Sequence, residues 1–478
     1  MTELPKGWVD AELADVMSPQ PHSLAIGPFG SNLKVSDYCD DGVPLIFVRN
    51  VRARDFELLP TYVSPEKAEE LAAHRVDPGD VLITKMGDPP GDTAIYPHAR
   101  PPAILTADCI KLKSHPEISA KFVAFGIESP SGAQQIAEMT SGVAQQKVSL
   151  GKFRRLRVPV APSSEQARIV AAIEEAFSKL DAGEAGLRTV RQLLKRMRDA
   201  ILTAAVTGRL VPQDPTDTPA AKLLADLGAE SIAEPEGEVV PEGWAWALLG
   251  SVSAIGGGIQ KQPKRNPVRN RAPFLRVANV GRGKLDLSDV HEIEVFDGEL
   301  DRYGLVAGDL LVVEGNGSPD QIGRSALWHA KIAPCVHQNH LIRVRPGLAL
   351  EPSYLELYWN SPAAAQRVQS VASSTSGLHT LSTGKLKILP VVVPPLEEQK
   401  RIVTEVERQL SFVEACERAV DVGLARSAGL RRSVLKAAFE GRLVPQDPSD
   451  EAASVLLDRI RAERAAQSVA KRRARQTA

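Results

Sequence analysis

The sequence predicts an α+β protein: two pseudo-symmetric mixed α/β domains separated by two long antiparallel coiled-coil helices. Three observations carry this. The chain repeats itself once, each repeat ends in a long heptad pattern, and each repeat begins with short β-rich runs cut by Gly, Pro and Asp turns.

The repeat comes first. Gly208-Arg-Leu-Val-Pro-Gln-Asp-Pro215 recurs unchanged as Gly441 to Pro448, at an offset of 233. The same offset carries Glu165-Gln166 onto Glu398-Gln399, Ile169-Val170 onto Ile402-Val403 and Gly151-Lys152 onto Gly384-Lys385. Upstream the match continues with small gaps. Pro5-Lys-Gly-Trp8 echoes Pro241-Glu-Gly-Trp244, Phe47-Val-Arg-Asn-Val51 echoes Val277-Ala-Asn-Val280, and Val76-Asp-Pro-Gly-Asp80 echoes Val306-Ala-Gly-Asp309. Each copy therefore has a variable front and a well-matched back.

Each back reads as one helix. Pro159 and Pro162 precede Ser163-Ser-Glu-Gln166, a capping-box pattern. Ile173, Leu180, Leu187, Leu194 and Ile201 then follow at seven-residue steps, with Ala176, Gly183, Val190, Met197 and Ala204 as a second seam. Gly208 and Pro212 supply the stop. The second copy places Val406, Val413, Val420 and Val434 on the seam, broken by Ser427. Each helix should cover about 43 residues, or about 65 Å. Gly183, Gly186, Gly423 and Gly429 cost helix stability, and a close helix–helix approach is one packing reason for keeping them.

The fronts should contain strands at Pro44–Val48, Val81–Thr84, Cys109–Leu112, Leu310–Val313 and His340–Val344. The resulting division is 1–157 first front domain, 158–215 first helix, 216–240 short helix and linker, 241–388 second front domain, 389–448 second helix, and 449–478 C-terminal helix and basic tail. The first helix ends near 207 and the second front domain returns the chain to the start of the second helix. An antiparallel pair, with the front domains at opposite ends of a rod, is the simplest packing. Equal spacing from Gln166 to Gly208 and from Gln399 to Gly441 suits a ruler.

Composition bounds the rest. With 58 Lys+Arg against 59 Asp+Glu among 478 residues, a uniformly basic DNA coat or a polybasic membrane binder is excluded. The four cysteines are far apart and form neither a disulfide framework nor a zinc ribbon. No signal peptide or membrane span is read, which points to the cytoplasm. Gly151-Lys152 and Gly384-Lys385 lack the glycines of a phosphate loop, and the histidines show no metal-ligand spacing. Asp88-Pro-Pro-Gly91 has Gly91 where a methyltransferase motif carries an aromatic, so it reads as a turn, as does Gly256-Gly-Gly258. The residues predict no catalysis, metal or cofactor.

Basic and amide side chains cluster in the fronts instead. Lys261, Lys264, Arg265, Arg269 and Arg271 are interleaved with Gln and Asn, a mix that grips phosphates and reads base edges. In the first front, Gln145, Gln146, Lys147, Lys152 and Arg154 form a comparable patch, and Ser31, Asn32 and Lys34 sit on the loop Gly27–Lys34. Asn279 and Asn316 are assigned with the second patch.

Pro-x-Gly-Trp at the head of each copy, Gly27-Pro-Phe-Gly-Ser-Asn-Leu-Lys34, Pro394-Pro-Leu-Glu-Glu-Gln399 and the repeated Gly-Arg-Leu-Val-Pro-Gln-Asp-Pro together resemble the specificity subunit of type I restriction-modification systems. The resemblance implies that each front is a target recognition domain reading half of a split, non-palindromic site on double-stranded DNA. It implies helices that dock two modification (methyltransferase) subunits, joined by restriction (translocase/nuclease) subunits. S-adenosylmethionine, ATP and Mg would belong to those partners. The first copy departs from the pattern with Pro162-Ser-Ser-Glu-Gln166. The competing readings are a catalytic chain, opposed by the missing cofactor loop, and a non-catalytic protein-binding scaffold with two interaction modules.

Overall fold

The computed structural model describes residues 4–87, 89–140, 147–235, 237–316, 321–375 and 378–477. They form two units: residues 1–187 with 422–478, and residues 188–421. Neither unit coincides with a sequence repeat, because each draws on both copies.

The long helices run Ser163–Val206 and Leu396–Phe439, 44 residues each. Within each unit their segments run antiparallel. In the discontinuous unit Arg431 pairs with Asp181 (2.5 Å) and Glu184 (3.1 Å); in the other, Arg198 pairs with Glu417 (3.1 Å) and Arg191 with Asp421. Ile173, Leu194, Ile201, Val406, Val413 and Val420 are buried, as the heptads require. Ser427 sits in the seam without leaving an orphan hydroxyl, because it donates to Glu184 Oε1 (2.7 Å). The second seam behaves differently from expectation: Val190 and Met197 are 42% and 41% exposed. One partner helix covers a single stripe, so the flanking stripe stays open. Of the four helical glycines only Gly423 lies tight against a neighbour, where a Cβ would meet Leu187 Cδ1 at 2.9 Å.

The helix starts hold a second difference. Ser163 forms no capping box; its hydroxyl donates to Glu117 O (3.0 Å). Glu165 and Gln166 face the front domain. Trp8 Nε1 donates to Glu165 Oε2 (3.0 Å), and Gln166 accepts from Ser119 N while donating to Ala161 O. The second copy repeats this: Trp244 Nε1 to Glu398 Oε2 (2.9 Å), with Gln399 bonded to Glu351 N and Ala349 O.

Just beyond each helix the repeated Gly-Arg-Leu-Val-Pro-Gln-Asp-Pro segment meets the Pro-x-Gly-Trp head. Gly441 (φ 68°) packs on Pro5 and Ala453 N donates to Gly7 O (2.8 Å); Gly208 (φ 67°) packs on Pro241 and Ala220 N donates to Gly243 O (2.8 Å). Arg168 to Asp450 (2.7 Å) and Arg401 to Asp217 (2.6 Å) complete equivalent joints.

The front domains share one frame. Each has a four-stranded antiparallel sheet: Leu24–Ile26, Cys109–Leu112, Val81–Thr84, Thr93–Ile95 in the first and Ser253–Gly256, Leu341–Pro346, Leu310–Val313, Ser325–Leu327 in the second. Three of the four central strands, Val81–Thr84, Cys109–Leu112 and Leu310–Val313, are buried at every position, whereas Leu341–Pro346 leaves Arg343 and Arg345 half-buried. A second sheet in each contains one parallel pair, Leu45 with Ile104 and Phe274 with Val336. The expected Pro44–Val48 strand is Val43–Ile46, and Val48 opens a short helix to Ala53. In the linker, Ser231–Ile232 adds a strand to Ala245–Leu248. The helix Ala453–Thr477 buries Ala453, Leu456, Leu457 and Ile460 in the first front domain's core and donates Arg464 to Met17 O (2.6 Å).

Candidate nucleic-acid interface

In the first front domain the loop from Gly27 crosses the backbone of Thr106–Ala107 so closely that any Cβ on Gly27 would overlap it. Phe29 is thereby pushed outward, 59% exposed. Lys85 Nζ lies 4.8 Å from the Phe29 ring centroid, and Lys85 N donates to Asp108 O (2.8 Å). Met86 bridges Lys147, and Val148 N donates to Lys85 O (3.2 Å). Asn32 and Lys34 are exposed on the same loop, Lys34 N bonded to Asp37 Oδ2 (2.7 Å). Ser31 lies in the same short 3-10 turn.

The structure thus joins Phe29, Lys85, Asp108 and Lys147. Lys152 spends its ammonium on Met139 O (3.0 Å), and Arg154 O accepts from Ala14 N (3.2 Å). Gln145 and Gln146 lie outside the described residues. Lys85 escaped the sequence reading because its neighbours come from distant segments. The offset that aligns Val81–Thr84 with Leu310–Val313 was the one signal that could have found it.

In the second domain the segment 259–272 is held by acids the composition did not reveal. Glu294 accepts from the backbone N–H groups of Val268 (2.6 Å), Arg269 (3.0 Å) and Asn270 (2.9 Å), which hold its carboxyl below the usual range. Arg265, its side chain only 13% exposed, is clasped by both oxygens of Glu299 (2.7 Å each) and stacks over Phe296 (4.8 Å). The Arg265 bond likewise lowers Glu299. Arg265 therefore shapes the loop instead of presenting a free charge. Lys261, Lys264 and Arg269 are exposed; Arg271, also exposed, lies 3.9 Å from Glu292.

Asn279 requires a correction. It is 3% exposed, accepts from Arg276 N (2.8 Å) and donates to Asp286 O and Asp289 O (2.9 Å each). With its amide consumed it braces a turn. Asn50 does the same in the first domain, with Phe47 N, Asp55 O and Leu58 O. Asn316 lies on the short strand Gly315–Asn316, its backbone opposite His379.

Among the described residues the structure contains no cluster of metal-ligating side chains and no helix long and apolar enough to cross a membrane. Cys39, Cys109, Cys335 and Cys416 are free thiols.

No family model matches the chain. It is similar to the EcoKI type I restriction enzyme specificity subunit of Escherichia coli (strain K12), 27% identical over 480 residues and 97% of each chain. It is similar also to the StySPI specificity subunit of Salmonella potsdam, 25% identical over 97% of this chain and 96% of that one. Among solved structures, a chain of a type I R-M system shares the fold with TM-score 0.64 and 19% identity, over 92% of this chain and all of that one. The HsdS subunit of Thermoanaerobacter tengcongensis aligns with TM-score 0.50 and 19% identity, over 92% of this chain and 98% of that one. Along nearly its whole length, this chain is similar to the specificity subunits of type I restriction enzymes.

Proposed function

We propose that the chain is the DNA-specificity subunit of a type I restriction-modification complex, itself non-catalytic and working in the cytoplasm. Each front domain reads one half of a bipartite, asymmetric site, and the long helices dock two modification subunits, with restriction subunits completing the assembly. S-adenosylmethionine, ATP and Mg are bound by those partners. The observation that carries this reading is the alignment over 97% of both chains with the EcoKI specificity subunit. Two equivalent frames bearing different exposed side chains support an asymmetric target, since identical readers related by two-fold symmetry favour a palindrome.

Genome-wide mapping of N6-methyladenine tests it, in cells carrying this chain and its methyltransferase partner and in the same cells without this chain. The expected result is a split asymmetric motif that disappears on deletion. Methylation unaltered by the deletion refutes the proposal.

A further inference from the structure

The two front domains correspond position by position at one end of the two central strands of the four-stranded sheet, and the backbone bonds define the correspondence. Thr84 is opposite Cys109 where Val313 is opposite Leu341. Lys85 N donates to Asp108 O as Glu314 N donates to His340 O. Val148 N donates to Lys85 O as Leu381 N donates to Glu314 O. Gly27 crosses the backbone at Thr106–Ala107, and Gly258 does so at His337–Gln338; both lack room for a Cβ.

On this shared frame the bracing residues keep their type: Gly27 and Gly258, Asn50 and Asn279, Asp80 and Asp309. The outward residues do not. Phe29 corresponds to Gln260, Lys85 to Glu314, Asp108 to His340 and Lys147 to Thr380. The charge at the central position is reversed. Lys85, half-buried, donates to Ala107 O (3.4 Å) beside an exposed ring, whereas Glu314 Oε2 lies 3.0 Å from His340 Nδ1, with both of the latter side chains solvent-accessible.

Neither position is needed for the fold in one chemical form, because the frame closes identically around a cation and an anion. Base edges in the major groove present these alternatives: guanine O6 and N7 accept, and cytosine N4 donates. From this we infer that Lys85 and Glu314 are equivalent specificity-determining residues, Lys85 taking an acceptor edge in one half-site and Glu314 a donor edge in the other. Phe29 and Gln260 flank them as an apolar contact and an amide reader. Phosphate contacts, which need only cations, do not account for Glu314.

The inference rests on the proposed function, and its test separates the two. The assembled complex, carrying the full chain with its modification subunits, is bound to duplexes containing the methylated motif and to every single base-pair substitution of it. Wild type is compared with Glu314→Gln, Glu314→Lys and Lys85→Gln. The expected result is that wild type pays about tenfold or more for a substitution at one position in each half. The Glu314 variants lose that penalty at one position of one half only, and Lys85→Gln loses it at one position of the other. Penalties unchanged at every position, or lowered uniformly across both halves, overturn the inference. A wild-type complex indifferent to all substitutions overturns instead the proposed function on which it rests.

Discussion

His337 should make the second unit acid-sensitive. Its ring is fully buried, on the strand Val336–His337 that runs parallel to Phe274–Leu275. Burial, reinforced by the neighbouring Arg343 guanidinium, pushes its pKa from 6.5 down to about 3. Arg345 also faces it and, although paired with Asp309 (2.6 Å), adds to the field that opposes a further positive charge. A depressed pKa means the folded ring stays neutral while the unfolded ring takes up a proton. The associated stability is intact above pH 6.5 and is lost as pH falls toward about 3. Between pH 7 and pH 5 the loss is roughly 1.5 pH units at 1.36 kcal/mol each, about 2 kcal/mol. A chain with two units need not unfold in one step, so the readout should be local. Amide hydrogen exchange on Arg271–Leu275 and His291–Glu294, the other strands of this sheet, reports its opening. Wild type and His337→Gln compared at each pH cancel the intrinsic exchange chemistry. Wild type should lose about 2 kcal/mol more protection than the variant between pH 7 and 5. Equal losses in the two proteins would refute the argument.

Three further outcomes follow from the geometry. Gly441→Ala, at φ 68° against the Pro5 ring, should cost at least about 1–2 kcal/mol from the left-handed backbone alone, seen as a lower midpoint for the first unit in thermal melts. Lys261, Lys264 and Arg269 replaced together by Ala should weaken DNA binding and reduce the slope of log affinity against log salt by about 0.9 for each phosphate no longer neutralised; an unchanged slope removes this loop from the interface. Asn279→Ala should destabilise the second unit by about 1–3 kcal/mol, since it removes all three hydrogen bonds of a buried side chain that braces the turn, while leaving the preferred DNA sequence as it was; an altered preference would return Asn279 to the interface.

The parts of the molecule legible in the sequence are those where local chemistry and position agree. The heptad residues Val406, Val413 and Val420 are apolar, regularly spaced and buried. Repetition located both helices, because a duplicated Gly-Arg-Leu-Val-Pro-Gln-Asp-Pro stop has few explanations. The interface was harder because one side-chain chemistry serves two ends. An amide that can read adenine can equally cap a turn, which is what Asn279 does. A guanidinium that can grip phosphate can equally grip Glu299, 34 positions further along the chain from Arg265. Lys85, isolated among apolar and turn residues, gains its surroundings only when residues 27–29 and 106–108 fold onto it. Val190 and Met197 show the reverse error, since heptad spacing records which residues could be covered and not how many partners are present.

The interleaving of the two copies also sets an order of assembly during synthesis. Residues 188–421 form a continuous stretch, whereas the unit begun at the N-terminus needs residues 422–478. Ala453, Leu456, Leu457 and Ile460 fill its core, and Leu435, Ala438 and Phe439 pack against Trp8 and Phe122. A ribosome moving at about 5–20 residues per second delivers those side chains only after residues 188–421. The front domain made earlier is therefore the one completed later, and until residues 422–478 emerge its core lacks the side chains that close it.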